Sequence, residues 1–144
     1  MATTSQSSTS VTPLIARVLM AAVFLVSGLG KLAEPTGTQG FIASVGIPEP
    51  MLAYLAAIVI ELGGGALLVL GYRVRYASLV LAAYCVVTAL LFHHALGDQN
   101  QLFHLLKNFA IAGGLLMLFE VGAGAWSLEA RHATSSVAAS RAEF

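Results

Sequence analysis

Residues 53–71 of this chain read AYLAAIVIELGGGALLVLG, an apolar stretch with one charged side chain, Glu61, near its middle. A helix needs about 20 mostly apolar residues to cross the hydrocarbon core of a bilayer. Together with the residues beside it, this stretch is long enough, and we predict a membrane span over about 50–72. The chain is therefore expected to be an integral membrane protein.

The composition of the whole chain agrees with that interpretation. Of its 144 residues, 58% are hydrophobic and 10% are charged, whereas average soluble domains contain about 45–50% and about 25%, respectively. Too little polar surface remains for a soluble protein, and the length allows one domain. The seven basic and seven acidic side chains cancel, so no electrostatic surface for nucleic acid is expected.

Three further apolar segments flank the central one, and the four predict a transmembrane domain over residues 12–122. The predicted spans cover about 12–33, 50–72, 76–96 and 102–121. The first is expected to begin with Thr12 as its N-cap and Pro13 in its first turn. Residues 1–11 lack the basic start of a secretory signal peptide and are predicted to be a disordered tail. Residues 123–144 are predicted to be a polar C-terminal tail that frays.

The connections between the spans predict how the helices are arranged. Tight turns near 72–75 and 97–101 favour antiparallel neighbours. The connection over 34–49 contains helix-breaking glycines and prolines but stays partly apolar at Phe41 and Ile42, so we expect a short helix on the membrane surface near 38–45. The predicted fold class is an all-α, integral membrane four-helix bundle with this interfacial helix after the first span.

The lysines and arginines near the helix ends predict the orientation of the bundle, because cytoplasmic loops are enriched in these residues. With both termini in the cytoplasm, the inner side collects Arg17, Arg73, Arg75, Arg131 and Arg141, and the outer side holds Lys31 and Lys107. We therefore expect a multi-pass protein of the cell inner membrane with both termini cytoplasmic.

Glu61 is predicted to lie near the membrane midplane, where a charge is costly and is expected to pair or to do chemistry. Small residues on the same helix face, such as Ala57 and Gly64, allow another helix to approach. Either Lys107 or Arg17 is the expected partner. The facing surface of the first span is predicted from residues at spacings of three and four: Arg17, Ala21, Phe24, Gly28 and Lys31.

The predicted intramembrane polar network comprises Glu61, Lys107, Arg17, Lys31, Asn108 and His104. Two interpretations of it remain open. The network either fixes the helix register as a structural ion pair, or it exchanges protons or contacts a small polar head group such as that of a quinone. Glycines are expected where helices pack closely: Gly28, Gly63, Gly64, Gly71, Gly113 and Gly114.

The sequence contains few other candidates for chemistry. His93, His94 and His104 are the only candidates for a metal or haem site, and no metal is expected because Asp98 is the sole nearby carboxylate. Cys85 lies within an apolar run and is predicted to be a packing residue. Because no nucleophile elbow, phosphate loop or dinucleotide fingerprint is present, no independent catalytic site is predicted.

Three segments of the chain resemble the DoxX family of small four-helix bacterial inner-membrane proteins. RVLMAAVFLVSGLGKL, at 17–32, is similar to the first helix of that family, and it includes Ser27. IELGGGALLVLG, at 60–71, is similar to the second helix. HLLKNFAIAGGLLML, at 104–118, is similar to the fourth helix of a bacterial subgroup, and GFIASVGIP fits the first loop. The resemblance extends over about 14–118.

The resemblance implies an accessory subunit of a quinone-linked or thiol/sulfur redox system, with a quinone as its candidate cofactor. Membrane lipid, oxidoreductase subunits and further copies of the chain are then the expected partners. Two alternatives remain at this point. One is a small proton-coupled transporter, which would need an oligomer to enclose a pathway. The other is an assembly or envelope-integrity factor whose polar interior is purely structural.

Overall fold

The computed structural model describes residues 10–93 and 95–142. Most of the predicted N-terminal tail, and also His94, lie outside the described residues. The regular elements are all helical: α1 (Thr12–Ala33), α2 (Pro35–Ser44), α3 (Pro50–Leu70), α4 (Val74–Phe92), α5 (Gln99–Val121) and α6 (Leu128–Ala142). By length and composition, α1, α3, α4 and α5 can each cross a membrane. The predicted all-α membrane fold is therefore confirmed, and a short helix, α2, follows the first span.

Two of the helices begin at residues other than the predicted ones. Thr12 is the first residue of α1, not its N-cap as predicted, and its backbone N–H donates to Ser10 Oγ at 3.2 Å. The helix α5 begins at Gln99, a few residues before the predicted start. Its N-cap is Asp98, whose carboxylate accepts from the N–H groups of Asn100 and Gln101 at 2.8 and 3.0 Å. This cap adds a turn at the start of α5.

The four spans form a ring in which each packs on the next: α1 on α3, α3 on α4, α4 on α5, and α5 on α1. Its interior is filled by apolar side chains, among them Phe24, Leu68, Leu81 and Leu115. We call the side of the ring that carries α2 the α2 side, and the side that carries α6 the α6 side. The turns and short helices at these two sides determine what surrounds each buried charge.

Four of the predicted packing glycines lie against another helix. An added Cβ would come within 2.6 Å of a Leu62 carbon at Gly28, 2.8 Å of a Leu81 carbon at Gly64 and 2.1 Å of Met20 Cε at Gly114. Gly71 is the fourth and lies beside Arg17. At Gly63 and Gly113 an added Cβ would meet no atom of the described residues within 4 Å.

The chain after α5 turns back onto the bundle through Gly122 and Gly124, which have φ angles of +81° and +74°. It then forms α6 where a polar tail is predicted. The reason lies in two bonds at the turn between α3 and α4. The backbone N–H of Glu129 donates to the Gly71 carbonyl at 3.2 Å, and its carboxylate accepts from the Val74 N–H at 3.1 Å. This carboxylate caps the positive end of α4.

Candidate functional site

The buried face of α1 is the stripe predicted from the sequence. Arg17, Ala21, Phe24 and Gly28 are all buried, and Lys31 is partly buried at the end of the same face. The stripe thus carries one cation near each end, about 21 Å apart along the helix at 1.5 Å per residue. Each cation has its own set of partners.

Glu61 is buried in α3, with 3% of its surface exposed, and it pairs with Lys31 of α1. The Lys31 ammonium lies 2.8 Å from Oε1 and 2.9 Å from Oε2 of the carboxylate. The prediction that Lys107 or Arg17 fills this role is therefore wrong. Arg17 lies at the opposite end of α1, and the Lys107 side chain lies on the exposed surface of α5.

Two hydroxyl groups complete the surroundings of the Glu61 carboxylate. Tyr84 of α4 donates to Oε1 at 2.8 Å, and Ser27 of α1 donates to the same oxygen at 3.1 Å. The Lys31 ammonium also donates to Ser27 Oγ at 2.8 Å. We call Ser27, Lys31, Glu61 and Tyr84 the Glu61 cluster. It joins three spans through one carboxylate.

The sequence pattern revealed only part of this cluster. Ser27 was singled out by the family resemblance and lies one turn before Lys31, but it was not placed in the polar network. Tyr84 was missed, because a tyrosine in an apolar helix usually packs as a hydrophobic residue with its hydroxyl on any nearby acceptor. A second tyrosine, Tyr54, donates to the Lys31 carbonyl at 3.3 Å, at the α2 side of the cluster.

The backbone of α3 departs from α-helical geometry at this site. Val59–Gly63 form a single π turn that contains Glu61. Such a turn holds one more residue than an α turn, and isolated π turns within α-helices are frequent at functional sites. Small residues follow it, and an added Cβ at Gly65 would lie 2.9 Å from Leu25 of α1. The site therefore combines an irregular backbone with a close approach of helices.

Access to the cluster is uneven. The Glu61 side chain is 4% exposed, whereas the Lys31 side chain is 23% exposed. The Lys31 side chain is thus the part of the ion pair that a molecule arriving from outside can reach. A buried carboxylate that holds a reachable cation in place is an arrangement that can bind a polar head group carrying oxygen acceptors.

The second cation of the stripe, Arg17, is completely buried, and its hydrogen bonds within the described part of the chain go to backbone carbonyls. Its guanidinium donates to Pro13 at 3.4 Å, to Leu68 at 3.2 Å and to Trp126. We call these contacts the Arg17 clamp. Because Leu68 lies in the last turn of α3, the cation also meets the negative end of that helix.

Gly71 makes the Arg17 clamp sterically possible. It ends α3 with a φ of +66°, and its N–H donates to the Leu68 carbonyl at 3.2 Å. An added Cβ would lie 1.9 Å from Arg17 Nη1 and 2.5 Å from Ser127 Cβ. The backbone conformation and the space at this position both favour glycine.

The remaining predicted polar residues lie on α5, away from both charges. Lys107 Nζ is 3.0 Å from His104 Nδ1, and Asn108 donates to the His104 carbonyl at 2.9 Å. The His93 ring stacks on the His104 ring with 5.1 Å between centroids. Within the described ranges, no group of three or more His, Cys, Asp or Glu side chains could hold a metal ion. The structure thus distributes the predicted network over three separate places.

Comparison with known proteins gives a consistent result. The DoxX family profile matches residues 12–94, which include every member of the Glu61 cluster. The chain is 35% identical to the inner membrane protein YqjF of Escherichia coli over 116 residues, which cover 81% of this chain and 88% of YqjF. It is 37% identical to the inner membrane protein YphA of the same organism over 123 residues, covering 82% and 88% of the two chains.

A shorter match adds a different kind of relative. Over 69 residues, the chain is 38% identical to a Bacillus subtilis protein named "Putative oxidoreductase CatD", covering 48% of this chain and 50% of that one. No solved structure matches the chain at a comparable level of similarity.

Proposed function

Because the chain belongs to the DoxX family, we propose that it is an inner-membrane accessory subunit of a quinone-linked or thiol/sulfur redox system. In this proposal the Glu61 cluster contacts the head group of a quinone. The names of YqjF and YphA support the location, and the name of CatD supports the redox association. The observation that supports the proposal is the partly exposed Lys31 side chain, whose ammonium is held in place by a buried carboxylate.

The chemistry of the cluster fits a quinone. A quinone head group has two carbonyl oxygens, which accept hydrogen bonds, and the Lys31 ammonium can donate to one of them in exchange for one of its present contacts. The hydroxyl protons of Ser27 and Tyr84 are already donated to Glu61, so these two groups orient the carboxylate. When bound, a quinone supplies the electron-carrying chemistry that the side chains lack. In the proposal, Lys31 holds the head group, and Glu61 keeps the ammonium charged and fixed.

The tyrosine has a separate role in the proposal. Tyr84 holds a proton on its hydroxyl group 2.8 Å from Glu61 Oε1, and this proton lies between α3 and α4. Loss of the hydroxyl would leave the ion pair intact but weaken the orientation of the carboxylate. Tyr84→Phe is therefore a sharper probe of binding than Glu61→Gln, which breaks the ion pair itself.

Quinone binding can be measured with the full chain in nanodiscs and radiolabelled short-chain benzoquinone and naphthoquinone. We expect saturable binding of at least one of them, weakened about tenfold by Tyr84→Phe through loss of one ordered hydrogen bond. Tyr76→Phe is the matched control, because Tyr76 lies on the same helix and is 68% exposed. Absence of saturable binding, or equal binding by both variants and the native chain, would contradict quinone contact.

The accessory role has its own test. Gentle purification of the full chain from its native membrane, with mass spectrometry of the proteins that elute with it, should recover oxidoreductase subunits in constant proportion. Lys31→Gln should lower the quinone content of that assembly. Recovery of the chain without any oxidoreductase would count against the proposal, whatever the binding result.

One observation favours a different function, that of an assembly or envelope-integrity factor with a structural interior. The three N–H groups of Lys31 have acceptors at hand in Ser27 and the two Glu61 oxygens, so the pair is satisfied without a ligand. The double variant Lys31→Gln with Glu61→Gln separates the two functions. The double variant should complement a deletion strain if the interior is structural. It should fail to complement that strain if the pair contacts a quinone.

A further inference from the structure

We propose that Lys107 and His104 form a binding site for the phosphate group of an anionic phospholipid on the outer surface of α5. Lys107 is exposed within a span that can cross a membrane. Large apolar side chains surround it on the same surface, with Phe103 68% exposed and Leu106 56% exposed. An anionic lipid fits this arrangement, because its head group can pair with the cation and its acyl chains can contact the apolar side chains.

Lys107 carries its charge at a depth in the span where a charged group is costly. It lies eight residues after Gln99, or about 12 Å along the helix, where an unpaired ammonium is costly. Side chains on a helix tilt toward its N-terminus, so the lysine extends toward the α2 side. The 3.0 Å contact between its Nζ and His104 Nδ1, one turn nearer that end, shows this direction.

Among the described side chains, none of the carboxylates pairs with this ammonium. Across residues 10–93 and 95–135, the ion pair within 4 Å is that of Lys31 and Glu61. His104 accepts only one of the three N–H groups of Lys107, so two remain for an external acceptor. The Lys107 ammonium therefore has two N–H donors that an anion near the α2 side can accept from.

The histidine contributes a further donor. Because an ammonium can only donate, His104 Nδ1 is the acceptor, and the neutral ring carries its proton on Nε2. The ring is held by stacking on His93 at 5.1 Å. His93 in turn is fixed by the contact between its Nδ1 and Gln101 Oε1 at 2.9 Å. The site therefore combines the Lys107 ammonium with an imidazole ring that is held in place and carries one N–H.

The apolar surroundings favour a lipid over free phosphate as the source of the anion. Lys107 lies below the ends of the helices, so a phosphate that reaches it brings acyl chains into contact with Phe103 and Leu106. The negative charge of the head group then gives preference over a zwitterionic lipid, because each basic residue near an anionic membrane surface favours binding by about fivefold.

Native mass spectrometry of the full chain released from detergent micelles tests this site. Phosphatidylglycerol and phosphatidylcholine with the same acyl chains are added in equal amounts, and lipid-bound masses are compared. We expect phosphatidylglycerol to be retained about fivefold more than phosphatidylcholine. Lys107→Gln should remove this preference and Lys107→Arg should keep it. Arg73→Gln is the matched control, because Arg73 is an exposed cation on the α6 side.

Three results would overturn the proposal. The first is an unchanged preference in Lys107→Gln. The second is loss of phosphatidylglycerol adducts when inorganic phosphate is added, which would assign the site to free phosphate. The third is a dimer in the native chain that disappears in Lys107→Gln, which would assign the cation to a second copy. Because Lys107 is exposed, its replacement should leave the circular dichroism spectrum unchanged. An unchanged spectrum shows that the variant is folded and can be compared with the native chain.

Discussion

The Arg17 clamp and the Glu61 cluster use two cations from the same face of α1, and they satisfy them in different ways. At Arg17, the partners are backbone carbonyls from three segments, and the guanidinium is fully buried. At Lys31, the partners are the side chains of Ser27 on the same helix and Glu61 on α3, and almost a quarter of the lysine side chain is exposed.

This difference separates a structural charge from one that can take part in binding. Backbone carbonyls cannot change protonation, and the last turn of a helix holds its partner in a fixed direction. Side-chain partners can change charge or rotamer. A ligand can therefore replace one contact of Lys31 without unfolding a helix, whereas Arg17 has no contact that can be released in this way.

The largest expected effect is that of Arg17→Met. It would leave the carbonyls of Leu68 and Trp126 without their buried donor, and each charge-assisted hydrogen bond contributes roughly 1.5–3 kcal/mol. The Leu68 carbonyl would keep its bond from the Gly71 N–H, so the expected loss comes from the two charge-assisted bonds and lowers the free energy of unfolding by about 4 kcal/mol. Titration with SDS in mixed micelles, followed by circular dichroism, measures it. Arg75→Met is the control, since Arg75 is exposed with one backbone contact, and comparable losses in both variants would refute a special role of the clamp.

The next effect tests the space around the clamp. Gly71→Ala places a Cβ against the guanidinium and against Ser127, in a left-handed backbone conformation that costs roughly 1 kcal/mol for alanine. With the displacement of Arg17, we expect a loss of about 3 kcal/mol in the same titration. Gly113→Ala faces open space in mid-helix and should be neutral or stabilising. If Gly71→Ala were also neutral, the close packing at this turn would be disproved.

The Glu61 cluster should respond to single changes and recover with double ones. Lys31→Met leaves a buried carboxylate without its cation, and we expect a loss of about 2–3 kcal/mol, reduced from the fully buried case because Lys31 is partly exposed. Adding Glu61→Met should recover part of this loss, so the two effects are not additive. A double-mutant cycle measures the coupling. Strict additivity would mean that the ion pair contributes nothing to stability.

The smallest effect is that of Tyr84→Phe, which removes one hydrogen bond to the carboxylate. We expect a loss of about 1.5 kcal/mol, small enough for the inserted fold to persist. Tyr76→Phe should change the free energy of unfolding by less than about 0.5 kcal/mol. An equal response of the two variants would remove Tyr84 from the cluster.

The sequence predicts the helices that carry both regions and the buried face of α1, but it does not predict which residues contact each other. The spans follow from hydropathy, and the buried stripe of α1 from helical spacing, because both depend on residues close together in the chain. The partner of Glu61 depends on which residues of α1 and α3 lie at the same height in the bundle. The π turn changes this alignment, and no residue pattern predicts the π turn. The sequence therefore places Lys31 on the correct face without identifying its partner.

The Arg17 clamp was harder still to foresee. Its acceptors are backbone carbonyls, which every residue carries, so side-chain chemistry gives no sign of them. The docking of α6 was missed for a related reason, since it depends on two hydrogen bonds of Glu129 at the turn after α3. A polar tail and a docked polar helix have the same composition.

The contact between Arg17 and Trp126 also determines when the first span can be fully buried during synthesis. The two residues are 109 positions apart, so the first span leaves the ribosome with its guanidinium lacking an acceptor that is made only after the fourth span. During that interval the charge must stay at an aqueous boundary or inside the insertion machinery. Final burial of α1 therefore waits for the chain that follows α5, and a nascent protein halted before Trp126 would present an unfinished first helix to membrane quality control.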